Sequence, residues 1–211
     1  MGYFMTIDEA RQKIIKIRND LNELNIQNSS CQDIYYLYRE YLQVVVQIRR
    51  QIPKYDNGIW RYNNNCYFYA LDLPTPTAFI ETARRLYLNF STKVGDISGI
   101  RTIQEEMNID KFNKYLAIDL EYLGIETYKS AINLSPKHNG YKIAIFLDEE
   151  YFDYHFVRQN EDGIWSQKMG YGDTIVLSYN PLDFINANCL YHNYKYVNTI
   201  EVVKPTLRRV K

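Results

Sequence analysis

The sequence predicts an α+β fold in which helices come first and an antiparallel sheet follows. Three observations predict it. Apolar residues recur at helical spacing through the first part of the chain, β-branched and aromatic residues alternate through the last part, and the period changes once, after Asn139-Gly140. With 211 residues, 46% of them hydrophobic and 24% charged, and only 9 Gly and 6 Pro, the chain is composed to fold as one domain with a small extension.

Thr6 followed by Glu9 has the form of a capping box. It opens a narrow stripe of Ile7, Ala10, Ile14, Ile17, Leu21 and Leu24, the pattern of a helix packed on one partner, and the polar stretch 25–30 breaks it. A second helix, expected over 32–50, shows Ile34, Leu37, Tyr41, Val44, Val45 and Ile48 on one face, and Pro53 limits its end. The short connection lets the two stripes face each other, so residues 1–53 read as an antiparallel helical hairpin and residues 54–211 as the main domain. The hairpin reads as a structural brace, with docking of a protein partner as the functional alternative.

Asp56-Asn57-Gly58 is a turn signal, and 59–62 is a short strand candidate before Asn63-Asn64-Asn65. Residues 66–73 read as a buried helix stopped by Pro74 and Pro76, and a further helix is expected over 78–88. Lys93 to Gly99 is a tight polar connection. The next helix carries Ile103, Met107, Phe112, Tyr115, Leu116, Leu120 and Leu123, with Gly124 placed to end it. Then come strands: 142–147 as a central one, 154–159 and 164–168 as a hairpin around Glu161-Asp162-Gly163, and 174–178 and 196–203.

The balance of 25 basic and 25 acidic side chains provides no global field to draw in nucleic acid or an anionic membrane, although the tail from Lys204 is locally basic. No apolar run approaches the roughly 20 residues of a membrane span. Three widely spaced cysteines, Cys31, Cys66 and Cys189, argue for a reducing compartment rather than a disulfide scaffold. No Sec signal is legible at the start, so a cytoplasmic location or delivery by another route is expected. Met1-Gly2 with Thr6 fits the loose N-myristoylation pattern, but Tyr3 and Phe4 read better as the approach to a helix. The 21 Tyr suit core and surface packing more than a dedicated recognition face, and the same holds for Trp60 and Trp165. No Cys or His pair has zinc spacing, the 95–99 stretch lacks the ending of a phosphate loop, and no cofactor is expected. Glu149, Glu150 and Asp153 read as a solvated acidic loop rather than a metal site.

One constellation can carry chemistry. A nucleophilic thiol needs something that lowers its pKa, usually a helix N-terminus and a nearby imidazole. Cys66 meets the first condition: it stands at a helix start behind asparagines that can cap it, Asn64 or Asn65, with its sulfur near the positive end of the helix dipole. The backbone N–H there, with an Asn63 to Asn65 side chain, could bind an oxyanion. His155 lies in an alternating strand and is the candidate base, whereas His138 sits in a turn and His192 among Tyr and Asn. An imidazole base needs an orienting partner on its other nitrogen. If Glu161-Asp162-Gly163 is a three-residue loop with Gly163 left-handed, Asn160 pairs with Ile164, His155 lies opposite Met169, and Gln167 is its diagonal neighbour. A two- or four-residue loop would bring Ser166, Lys168 or Gly170 there instead.

Residues 65–70 (NCYFYA), 94–99 (VGDISG) and 153–168 (DYHFVRQNEDGIWSQK) resemble a group of uncharacterised bacterial and phage papain-like proteins near the NlpC/P60 and CHAP hydrolases. The resemblance covers about residues 57–205 and omits the hairpin. It implies a cysteine at the head of a helix packed on an antiparallel sheet, a histidine on a strand, and a polar third residue on the neighbouring strand. It further implies a thiol hydrolase or acyltransferase acting on a peptide, protein or peptidoglycan-like substrate. In that group a His commonly stands where this chain has Gln167, and a Pro-Gly where it has Met169-Gly170, so a degenerate site serving as a binding module is the alternative.

Overall fold

The structure is a computed structural model that describes residues 5–48, 64–73, 75–88, 90, 93–101, 107–150, 152–170, 172–177, 180–183 and 193–203. Several expectations concern residues outside this set. These are the motif at residues 1–4, the end of the second helix at 49–50 with its stop at Pro53, the turn and strand at 56–62 with Trp60, and Asn63, Pro74, Ile103, Cys189, His192 and the tail from Lys204.

Two helices, α1 (Ile7–Glu23) and α2 (Cys31–Ile48), form the hairpin. The capping box at the start of α1 is complete: the Glu9 N–H donates to Thr6 Oγ1 (3.2 Å) and the Thr6 N–H to Glu9 Oε2 (2.7 Å). Ala10, Ile17 and Leu21 are buried, but Ile7 in the first turn is 65% exposed, so the working stripe starts one turn later than its periodicity suggests. Burial on α2 spreads further round than one stripe, because Tyr38, Leu42 and Val46 are buried as well as Ile34, Leu37, Val44 and Val45. The reason is a second partner. Tyr38 packs against Phe68, Phe79 and Phe90 (ring centroids 5.7, 5.0 and 5.2 Å), so the hairpin shares one apolar core with the elements that follow.

After the hairpin come α3 (Cys66–Ala70), α4 (Thr77–Arg85) and α5 (Ile109–Tyr122). The Arg85 guanidinium from α4 donates to the Leu24 and Leu21 carbonyls (2.8 and 3.2 Å) and thereby closes the open end of α1. Helix α3 is shorter than the predicted 66–73 segment. The chain turns at Leu71, Asp72 adopts a left-handed φ of 57°, and the buried Arg158 guanidinium holds the Tyr69 carbonyl (2.8 Å) and Asp72 Oδ1 (3.3 Å) across the bend.

Among the described residues six strands follow: β1 (Glu126–Ser130), β2 (Tyr141–Asp148), β3 (Asp153–Gln159), β4 (Trp165–Lys168), β5 (Thr174–Val176) and β6 (Lys195–Val203). They form one antiparallel sheet in the order β1-β6-β2-β3-β4-β5. The central strand β2 is buried at every residue, and the alternation along it sorts two cores. Ile143, Ile145 and Leu147, with Phe156 of β3 and Val202 of β6, join the helical core, while Ala144 and Phe146, with Val157 and Leu177, form a smaller cluster on the other face. The α+β class, with helices first and an antiparallel sheet after, is therefore the observed architecture. Strand β1 has no apolar alternation in its ETYKS sequence, is largely exposed, and is placed at an edge by pairing with β6.

Candidate functional site

The β3–β4 hairpin turns through residues 161–163, with Gly163 at φ 81° and the Asn160 N–H donating to the Ile164 carbonyl (2.8 Å). The ladder therefore pairs Gln159 with Trp165, Arg158 with Ser166 and Val157 with Gln167. Paired residues share a face, and residues two apart on a strand share it too, so His155 and Gln167 project from the same side of the sheet. Their side chains meet: His155 Nε2 lies 2.7 Å from Gln167 Oε1, with both residues buried. With the amide oxygen as acceptor, Nε2 carries the ring proton and Nδ1 presents a lone pair.

The helical side of the sheet brings in Cys66. Asn65 caps α3 through its side-chain oxygen, which accepts from the Phe68 N–H (3.1 Å), and Cys66 is the first residue of the helix. Two cross-ties press α3 on the sheet: Tyr69 Oη meets Ser166 Oγ (2.6 Å), and the Arg158 guanidinium lies over the Tyr69 ring at 3.9 Å. Main-chain groups of a strand point alternately to its two neighbours, and the Asn160 N–H points to β4, so those of Tyr154 and Phe156 do as well. The ladder to β4 ends at Val157 and Gln167. In the space beyond it sits the Cys66 sulfur, which donates to the Tyr154 carbonyl (3.7 Å). The thiol is thus lodged on the helical side of the sheet beside the Tyr154 carbonyl, while the His155 side chain projects with Val157 and Gln167 to the other face. The hydrogen bond of the sulfur goes to Tyr154 and not to the imidazole.

Lys168 marks where β4 departs. Its buried ammonium donates to the Gly170 and Gly172 carbonyls (2.7 Å each), curling the chain away from β3. Burial pushes this ammonium down, while Cys66 and Asp173 oppose the shift.

Burial governs the resting protonation of Cys66 and of His155. Contrary to the lowered value expected of a cysteine at a helix start, burial outweighs the helix terminus and pushes the Cys66 thiol up to about 12, with the Phe156 backbone pulling the other way. It pushes His155 down to about 4, with the Gln167 contact and Asp153 opposing it. At neutral pH both groups are uncharged. Between about 4 and the ordinary value of 6.5, the unfolded chain takes up a proton that folded His155 refuses, so stability rises with pH across that window. The integrated effect is about 3 kcal/mol. Urea unfolding at pH 7.0 and 4.5 measures it, and His155→Gln is expected to remove most of the difference.

Of the other candidates, Asn64 is fully buried, and its side-chain oxygen accepts from the Thr75 N–H (2.7 Å). Its Nδ2 is a buried donor with no hydrogen bond. His138 lies elsewhere, stacked on Tyr128 of the edge strand β1 (3.9 Å) with Nδ1 3.3 Å from Glu201 Oε2. Glu149 forms an exposed ion pair with Lys195 (3.7 Å), and Asp153 accepts from the Tyr194 hydroxyl (2.5 Å). Among the described residues no group of three or more His, Cys, Asp or Glu side chains is arranged to hold a metal ion, and no helix is long and apolar enough to cross a membrane.

Asp119 was not among the candidates from sequence. It is fully buried on α5, and its carboxylate accepts from the N–H groups of Gly95 (2.7 Å) and Ser98 (2.8 Å), the Ser98 hydroxyl (2.6 Å) and the Tyr67 hydroxyl (3.0 Å). Burial pushes its carboxyl up, against the pull of the Ser98 and Gly95 donors. The available signal was an acid on an apolar stripe, since residue 119 continues the spacing of Phe112, Tyr115 and Leu116.

Comparison of the chain with protein-family models, with curated proteins and with solved structures finds no match.

Proposed function

We propose that the protein is a cysteine-dependent hydrolase or acyltransferase of papain-like arrangement, acting on a peptide, isopeptide or amide bond of a peptide, protein or peptidoglycan-like substrate. The observation that carries this reading is the 2.7 Å contact between His155 Nε2 and Gln167 Oε1, with the Cys66 sulfur hydrogen-bonded to the carbonyl of Tyr154, the residue directly before His155. A glutamine oxygen on Nε2 selects the tautomer whose Nδ1 can take a proton, which is the orienting task a base requires. In the reaction, Cys66 Sγ attacks the carbonyl carbon as its proton passes to His155. The Cys66 backbone N–H and the Asn64 and Asn65 amides are the donors assigned to the oxyanion. His155 then protonates the leaving amine. The thioester is cleaved by water, with return of a proton to sulfur, or is passed to an amine acceptor. Gln167 cannot balance an imidazolium as a carboxylate would, so the pair works from its neutral state.

A second reading, a degenerate site in a protein-binding module, is favoured by one observation: burial pushes the thiol up to about 12 and leaves the resting cysteine unreactive. The two separate on acylation. With p-nitrophenyl acetate and peptide mass spectrometry, the first reading expects acetyl-Cys66 to form in the native chain and to be lost in His155→Ala, while acetylation of Cys31 is unchanged. Equal labelling of Cys66 in both proteins contradicts it.

A further inference from the structure

We propose that Asp119 is a positioning residue for the Cys66/His155 pair, acting through the 94–98 loop, which it ties to the neighbour of each partner. The inference rests on the reading of the site given above and extends it to a residue that touches neither reacting group. Tyr67 directly follows Cys66, and its hydroxyl donates to Asp119 Oδ2 (3.0 Å). The same oxygen accepts the Gly95 N–H (2.7 Å), and Oδ1 accepts both the Ser98 N–H (2.8 Å) and the Ser98 hydroxyl (2.6 Å). The loop so held offers its Val94 N–H to the hydroxyl of Tyr154 (3.1 Å), the residue directly before His155. Tyr154 also supplies the carbonyl that receives the Cys66 thiol (3.7 Å).

One carboxylate therefore fixes a rigid bracket with two arms, one on the cysteine side and one on the histidine side. All four of its partners are donors, which suits an anion held by oriented N–H and O–H groups. Gly95 is required where it stands: its φ is +91°, and a Cβ there would lie 2.9 Å from the Arg101 Cβ. The 94–98 loop, whose sequence motif has no part in the proton transfers, acquires a role as the spacer of that bracket. Helix α3 has only five residues and little rigidity of its own, so the angle at which it delivers Cys66 to β3 depends on ties of this kind.

The test uses the full chain, iodoacetamide, and mass spectrometry of the Cys66 peptide, with thermal melting as the control for folding. Tyr67→Phe and Tyr154→Phe each remove one oxygen, and together they cut both arms while keeping the aromatic packing. The double variant is expected to lower the Cys66 alkylation rate at pH 8 by roughly tenfold. In a His155→Ala background, with no pair left to misplace, the same two changes are expected to alter the rate by less than about twofold. Asp119→Asn is expected to follow the same pattern, and the tyrosine variants carry the test if it does not fold. An unchanged or faster rate in the double variant, or an equal loss in both backgrounds, overturns the positioning role while a slow His155→Ala single variant still supports the site. A His155→Ala single variant as fast as the native chain overturns the site reading and this inference with it.

Discussion

Asp119→Ala is expected to lower the unfolding free energy by about 4 kcal/mol, the largest stability loss of any single substitution considered. Truncation removes the acceptor for the buried Gly95 N–H and Tyr67 hydroxyl and for the half-buried Ser98 N–H and hydroxyl. Each orphaned buried donor costs about 1 to 3 kcal/mol, and breaking a buried charged cluster from one side costs about 3 to 5. Local relaxation keeps the sum well below four full penalties. Burial of the carboxylate itself acts in the other direction, as its raised pKa shows, so the loss is set by the stranded donors and not by the charge. Urea unfolding measures the effect through the transition midpoint. A loss below about 1 kcal/mol would mean that the loop satisfies its donors without the acid.

The second large effect falls on chemistry. His155→Ala is expected to slow acylation of Cys66 by about 10² to 10⁴, the usual range for removal of a general base. The loss is amplified here because burial pushes the thiol up to about 12, so the sulfur cannot shed its proton unaided at neutral pH. Gln167→Ala is expected to cost less, about tenfold, because the base remains and only its tautomer and orientation are released. The order of the two effects is the informative result.

Much of this site was legible before the structure because local rules determine it. Asn65 before an apolar run marks a cap, and a Gly in the third loop position of Glu161-Asp162-Gly163 sets a hairpin register that puts Gln167 diagonal to His155. The helical hairpin and β2, β3 and β6 were legible from their periods for the same reason. What escaped depends on contacts distant in sequence. Strand β1 is recruited by pairing with β6 rather than by its own polar residues. Helix α3 is cut short by Arg158, which lies far along the chain. The protonation of Cys66 and His155 reflects how deeply both are buried, and neither motif nor spacing encodes that. Asp119 was readable only as an oddity on a stripe until its four donors were in view.

The dependence of Cys66 alkylation on pH tests the Cys66–His155 partnership most directly. If neutral His155 takes the thiol proton, the native rate with iodoacetamide is level from about pH 5.5 to about 8.5, above the His155 pKa of about 4. In His155→Ala the rate is then lower throughout and climbs about tenfold per pH unit, as a thiol with a pKa near 12 requires. Superimposable profiles in the two proteins, each rising with pH, would contradict the partnership.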